Sequence, residues 1–99
     1  MRMEYDPQAD AASVEVRGPV EPRDTADLEA LDQDRNVRYD AQGFPIEYEF
    51  LNVQRFGVRL DDIADRAHRE ELARLFREAG FRERDWSVPR PASAKRQAG

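Results

Sequence analysis

Apolar and polar residues alternate in two short stretches at the start of the chain. Glu4 separates Met3 from Tyr5, and Glu15 separates Val14 from Val16. A period of two is typical of strands with one buried face. Pro7 and the polar residues after it interrupt the pattern, which predicts a hairpin with Tyr5 opposite Val14. A register shift of two residues would keep both apolar sets on one face, whereas a shift of one would separate them.

The same alternation predicts a second hairpin in the middle of the chain, around the segment Asp40–Gly43. Asp at the first position and Gly at the fourth are typical of a type I turn. Closing the chain at this turn gives two inward-facing pairs, Val37 with Ile46 and Tyr39 with Phe44. Pro45 has no N–H to donate, which indicates a position near a sheet edge or a β-bulge.

Two other segments have weaker patterns. The segment 28–31 (Leu-Glu-Ala-Leu) is compatible with either a short strand or a single helical turn. It follows a loop over residues 18–27 that contains Gly18, Pro19 and Pro22. After the second hairpin, apolar residues continue on both sides of a bend at Gly57 and suggest a further short strand. They are Leu51, Val53, Phe56, Val58 and Leu60.

A helical period replaces the alternation after Asp61 and Asp62, which are suitable N-cap residues. One apolar stripe then contains Ala64, His68, Leu72, Leu75, Phe76 and Ala79. Gly80 is typical of a helix end, and Phe81 can pack back on the last turn. The chain is therefore predicted to form one α+β domain over residues 1–86. In it, an antiparallel sheet of four to five strands, built from two hairpins, packs against one C-terminal amphipathic helix. Residues 87–99 are predicted to be a disordered, flexible basic tail.

The distribution of charge limits the classes of partner. The net charge of the chain is −5, but residues 1–65 carry a balance of −9 and residues 66–99 a balance of +4. An acidic sheet repels nucleic acid, so contact with phosphates is expected only weakly, through the basic tail. We expect the partner to be a protein or a second copy of the chain, because charged residues make up 37% of the sequence and the core must be small.

Other classes are excluded by what the sequence lacks. It contains no Cys, which excludes disulfides and thiolate zinc sites. The first residues have no apolar run typical of a secretory signal, and no stretch approaches the roughly 20 apolar residues of a membrane span. We expect a cytoplasmic protein that does not contact membranes and needs no cofactor.

Two groups of residues resemble the bacterial domain-of-unknown-function family 2283, with its YuzE-like fold. They are Glu4-Tyr5-Asp6-Pro7-x-x-Asp10-Ala11 and Val37-x-Tyr39-Asp40-x-x-Gly43 followed after five residues by Glu49-Phe50-Leu51. The likeness covers residues 4 to about 81, although this chain has Ala12-Ser13 where members have larger apolar residues. The resemblance implies a small α+β domain of unassigned activity. Some relatives are encoded beside small toxin-like proteins, which implies a role in partner binding.

The candidate interaction or polar-site residues are Asp6, Asp10, Asp40, Tyr48, Glu49 and His68. His68 is the only histidine, and its place on the apolar stripe favours a packed or interface position over catalysis. Turn formation accounts for three of the acids, whereas Glu49 lies within a strand and is expected to pair with an Arg such as Arg38. No catalytic, cofactor-binding or metal-ligating residue is assigned.

Two functions are consistent with these residues. We expect a protein-binding or regulatory module, which forms a homodimer or binds a small toxin-like partner. The alternative is a small metal-dependent enzyme that uses Asp6, Asp10, Asp40 and Glu49, since hard cations require several oxygen ligands. The alternative requires the four carboxylates to converge, and the first hypothesis is favoured by an apolar sheet face that one helix cannot cover.

Overall fold

The computed structural model describes residues 1–17 and 25–84. Its strands are β1 (Arg2–Asp6), β2 (Ala11–Glu15), β3 (Thr25–Asp32), β4 (Arg35–Asp40) and β5 (Pro45–Leu51), and its helices are α1 (Val53–Phe56) and α2 (Arg66–Glu78). The five strands form one antiparallel sheet in the order β1-β2-β5-β4-β3. The predicted α+β class, the antiparallel sheet and the C-terminal helix are confirmed. The predicted tail over 87–99 and most of the loop over 18–27 lie outside the described residues.

Strand β3 settles the ambiguous segment between the hairpins. Leu28 pairs with Arg38 and Ala30 pairs with Asn36, so the segment is an edge strand of the sheet rather than a helical turn. Strands β3, β4 and β5 therefore form a meander, and the β1–β2 hairpin joins it through β2 and β5. The central position of β5 places both of its edges in hydrogen-bonded ladders.

Both hairpins differ in register from the prediction, and in the first the difference is two residues throughout. Val14 lies opposite Met3 instead of Tyr5, because Asp10 adopts a left-handed conformation (φ 52°) and Ala11 already belongs to β2. The turn is therefore tighter than the predicted one. Since the shift is even, the apolar residues stay on one face of the sheet.

In the second hairpin, the turn Asp40–Gly43 is confirmed. The Gly43 N–H donates to the Asp40 carbonyl at 3.0 Å, and Gly43 has a φ of 88°. A β-bulge follows, because Arg38 pairs with Glu47 but Tyr39 pairs with Pro45. The bulge places Val37 opposite Tyr48, not Ile46, and confirms the position predicted from Pro45. The prediction that Phe44 faces the core was wrong, since its side chain is 62% exposed.

One face of the sheet forms the core. The buried side chains of this face are Ala12, Val14, Arg35, Val37, Tyr48 and Phe50. Leu72 and Phe76 of α2 cover them, and the rings of Phe50 and Phe76 meet edge to face with centroids 4.9 Å apart. The segment before α2 completes the cover with Val58, Leu60 and Ile63. The apolar face is thus covered, contrary to the expectation that a single helix would leave it open.

Both helices differ from the predicted boundaries. Helix α1 replaces the short strand predicted around Val53, and Val58 makes one isolated parallel bridge, to Glu83. Helix α2 begins at Arg66, where the side chain of Asp65 accepts the His68 N–H at 3.0 Å. Ala64 therefore lies before the helix, and neither Asp61 nor Asp62 is the cap.

The end of α2 is as predicted. Gly80 adopts a left-handed conformation (φ 88°), and the Phe81 N–H donates back to the Phe76 carbonyl at 2.8 Å. The Phe81 ring packs against Tyr5 with centroids 4.7 Å apart, which fixes the helix end to β1. No helix among residues 1–17 and 25–84 has the length and hydropathy needed to cross a bilayer.

Candidate functional site

The six candidate residues occupy separate parts of the fold. Asp6 and Asp10 lie in the β1–β2 turn, Asp40 in the β4–β5 turn, Glu49 on the polar face of β5, and Tyr48 with His68 on the core side beneath α2. The structure brings Tyr48 into contact with His68, and it gives each of the four acids its own local partners.

Asp10 ties the first turn to α1. Its carboxylate accepts hydrogen bonds from the Tyr5 hydroxyl at 2.7 Å and from the backbone N–H groups of Gln54 at 2.8 Å and Arg55 at 3.1 Å. Partial burial opposes ionisation of Asp10, but these hydrogen bonds outweigh it and hold the pKa of the carboxyl below its ordinary value. Asp10 thus supplies the missing cap of α1, whose own N-cap residue, Asn52, makes no side-chain capping bond.

Asp6 and Asp40 each stabilise a turn. The Asp6 carboxylate accepts the Gln8 N–H at 3.0 Å, and the Asp40 carboxylate accepts the N–H groups of Gln42 and Phe44, both at 2.9 Å. These are Asx-type turns, in which a short acidic side chain replaces a backbone acceptor. The two residues serve turns in different hairpins.

Glu49 lies on the face of the sheet opposite the core. Its carboxylate accepts from the Asn36 amide at 2.9 Å, across the strand pair β4–β5. The predicted partner, Arg38, instead donates to Glu47 at 3.1 Å. Both contacts are directly cross-strand, as the observed register requires.

Tyr48 and His68 form a polar pair between the core face of the sheet and α2, with Tyr48 buried and His68 half-buried. The Tyr48 hydroxyl and His68 Nδ1 lie 2.8 Å apart, and the two rings meet edge to face. Burial and then the negative charge of Asp65 raise the pKa of Tyr48 to about 12. The pair joins β5 to the first turn of α2, where His68 is half-buried.

The metal-dependent alternative lacks its geometric requirement. Within residues 1–17 and 25–84, no group of three or more His, Asp or Glu side chains is placed to hold a metal ion. The four carboxylates named for that role are engaged in turns, in a helix cap and in a cross-strand hydrogen bond.

Sequence reasoning missed Arg35, a charged residue in the core. Its side chain is 3% exposed and contacts Asp32, Asp62 and the Arg59 carbonyl. Burial opposes its charge, but the hydrogen bonds from Arg35 to Asp62 and Asp32 outweigh it and raise the pKa of the guanidinium. The signal was present in the sequence, because position 35 has the same parity as Val37 and Tyr39 and therefore points to the core face.

A second feature is the polar side of the sheet, which we call the open face. Its residues on the five paired strands include Arg2, Glu4, Asp6, Ala11, Ser13, Glu15, Glu47, Glu49, Leu51, Asn36, Arg38, Leu28 and Ala30. None of them is buried, and five are acids against two Arg. Small side chains at Ala11 and Ser13 leave a depression of about 260 Å³ between Glu4, Asp6 and Glu49.

Comparison with known proteins shows a family match over the part of the chain that forms the sheet. The family described as a protein of unknown function (DUF2283) matches residues 2–54, which contain all five strands and the first half of α1. No curated protein and no solved structure matches the chain. The match spans more than half of the 99 residues and includes both groups of residues that carry the resemblance. The chain therefore belongs to the family of unknown function DUF2283.

Proposed function

We propose that this protein is a protein-binding module that docks a basic partner protein on its open face. The observation that carries the proposal is the division of the sheet into two unlike faces. One is apolar and is covered by α2 and by the segment before it. The other is acidic, and no helix of the described ranges packs on it.

The charges of the open face favour a basic partner. Glu47 and Glu49 lie in successive rows of the sheet, with Glu15 beside Glu47 on β2 and Ser13 beside Glu49. Arg38 and Asn36 each bind one of these carboxylates with a single hydrogen bond, so further acceptor positions remain on the oxygens. A face with an excess of acids attracts basic surfaces and repels acidic ones, nucleic acid included.

Neutralising the open face tests the proposal. The triple variant Glu15→Gln, Glu47→Gln, Glu49→Gln keeps the shape of the side chains and removes three charges. The matched control Asp61→Asn, Glu70→Gln, Glu78→Gln removes three charges from exposed side chains, each of which has an Arg partner. We expect the wild-type protein and the control, immobilised and incubated with lysate of the native host, to retain the same basic protein, identified by mass spectrometry. The open-face variant should bind that protein at least tenfold more weakly.

Two results would overturn the proposal. One is equal binding of the identified basic protein by both triple variants. The other is the absence of any specifically retained basic protein at low salt, where attraction between surface charges is strongest. Light scattering during size-exclusion chromatography establishes whether a second copy occupies the surface instead.

A further inference from the structure

The outer edge of β3 is unpaired within residues 1–17 and 25–84. Strand β3 is the last in the sheet order, and its described partner is β4. We propose that an extended segment of the basic partner pairs with this edge as a sixth strand, with basic and apolar residues in alternation. This inference rests on the proposed function and specifies how the partner is held.

The alternation of backbone hydrogen bonds along the strands shows which N–H and C=O groups of β3 point away from β4. The Asp40 N–H donates to the Phe44 carbonyl, and the Leu51 N–H donates to the Asp34 carbonyl. Even-numbered residues of β4 therefore direct their backbone groups to β5, and odd-numbered ones direct theirs to β3, since the directions alternate along a strand. Val37 thus exchanges hydrogen bonds with its partner Glu29, so Leu28 and Ala30 direct their N–H and C=O groups outward.

The side chains along this edge suit an alternating strand. Leu28 and Ala30 lie on the open-face side and are exposed, with Leu28 at 47%. Glu29 is exposed on the other side. A strand added in antiparallel register places its own side chains directly opposite these residues. Apolar side chains would then contact Leu28 and Ala30, and a basic side chain would face Glu29.

Charge distinguishes a basic partner from a second copy. The segment 25–32 contains Asp27, Glu29 and Asp32 and no Lys or Arg. Asp32 is bound by Arg35, but Glu29 is exposed, and pairing two copies of β3 would add an acidic strand to an acidic strand. Like charges across a strand pair are destabilising. A basic strand would be attracted to the same positions. Register shifts flank the segment Leu28–Ala30, so the docked part is short and the side-chain charges contribute to specificity.

The probe is a capped octapeptide of four Lys-Val repeats. A capped octapeptide of four Glu-Val repeats is the control with reversed charge. Ala30→Pro removes one outward N–H without touching the ladder to β4, and Ala30→Val is the matched control that keeps the N–H. We expect the Lys-Val peptide to bind wild type and Ala30→Val equally, and Ala30→Pro at least tenfold more weakly. Hydrogen exchange of the Leu28 and Ala30 amides should slow at least tenfold when the peptide is added. The Glu-Val peptide should not bind.

Leu28→Lys is a second variant that keeps every backbone group, adds a repelling charge and guards against failure of Ala30→Pro to fold. It should also weaken binding of the Lys-Val peptide at least tenfold. Equal binding by Ala30→Pro and Ala30→Val, both folded by circular dichroism, would overturn the edge proposal. If the open-face triple variant still failed to bind the basic protein, the proposed function would stand without the edge proposal. Concentration-dependent dimers of wild type that Ala30→Pro abolishes would assign the edge to a second copy and also overturn the inference.

Discussion

The guanidinium of Arg35 on β4 is bound by both carboxylate oxygens of Asp62, with Nη2 and Oδ2 2.9 Å apart. This bidentate pair connects the sheet to the segment before α2, and Arg59 contributes a carbonyl acceptor from the same segment. The hydrogen bonds from Arg35 lower the pKa of Asp62, although partial burial opposes them. Arg35 is thus a polar anchor for the layer that covers the core.

Replacing Asp62 with alanine should lower the free energy of unfolding by about 3 kcal/mol, because it leaves a buried cation with fewer partners. The control Asp61→Ala removes a side chain that is 57% exposed and should cost less than about 0.5 kcal/mol. Urea unfolding measures both. Adding Arg35→Met to Asp62→Ala should recover part of the loss, since it removes the unpaired charge. Equal stability of Asp61→Ala and Asp62→Ala would contradict the anchor.

Asp10 should be worth roughly 1–2 kcal/mol as the cap of α1. Asp10→Ala loses the hydrogen bonds and places alanine at a positive φ, a conformation that is costly for it. Asparagine tolerates that conformation better than alanine does. We therefore expect the alanine variant to be the less stable of the two in urea unfolding. The reverse order would show that the left-handed conformation is not the constraint.

The pKa of Asp10 predicts a loss of stability in acid. Because the folded-state pKa is lowered, the contribution is complete above the unfolded value of about 3.9 and is lost as the pH falls through the folded value. In Asp10→Asn this part of the acid dependence should disappear, as measured by the urea midpoint between pH 5 and 2. An unchanged acid slope in Asp10→Asn would assign the dependence to other carboxyls.

Tyr48 predicts a loss of stability in alkali. Its folded-state pKa of about 12 exceeds the unfolded value of about 10, so its contribution is full below pH 10 and is lost as the pH rises through 12. Tyr48→Phe should cost about 1 kcal/mol at neutral pH, through the lost bond to His68. It should also flatten the decline between pH 10 and 12, followed by circular dichroism. Phenolate absorbance of the variant should lack the tyrosine titration near pH 12 that the wild type shows.

Two glycines with similar backbone angles should respond differently to alanine. Gly43 and Gly57 have φ values of 88° and 79°, but a β-carbon at Gly57 would lie 2.9 Å from the Arg82 carbonyl oxygen, and one at Gly43 meets nothing within 4 Å. Gly43→Ala should cost about 1 kcal/mol through the backbone angle alone, and Gly57→Ala about 3 kcal/mol through angle and clash. Equal decreases in the melting temperature of the two variants would show that the backbone around Arg82 moves away from the added β-carbon at no cost in free energy.

The alternation of residues predicted the faces of the strands but not their register. Val14 and Val37 point to the core as expected, yet their partners differ by two residues from the predicted ones. A pattern of period two is unchanged by an even shift, so turn geometry had to decide. The deciding features are the left-handed Asp10 and the bulge beside Pro45, and the residue types predicted only the second.

Features that depend on distant residues were the ones that sequence reasoning missed. Helix α1 has only four residues and is capped by Asp10, which lies more than 40 residues earlier. Neither intrinsic propensity nor periodicity reports such a contact. Phe44 was expected to face inward opposite Tyr39, but it lies just after the turn and is exposed. In contrast, the end of α2 at Gly80 depends on local backbone geometry and was predicted.

The cover of the core has a consequence for the order in which the chain is made. All five strands precede Leu72 and Phe76 in the sequence, and near the end of the described residues the Arg84 N–H donates to the Val58 carbonyl at 2.7 Å. A ribosome therefore releases the complete sheet, apolar face included, before the residues that shield it. During that interval the nascent sheet exposes an apolar surface that is prone to aggregation and that chaperones can bind.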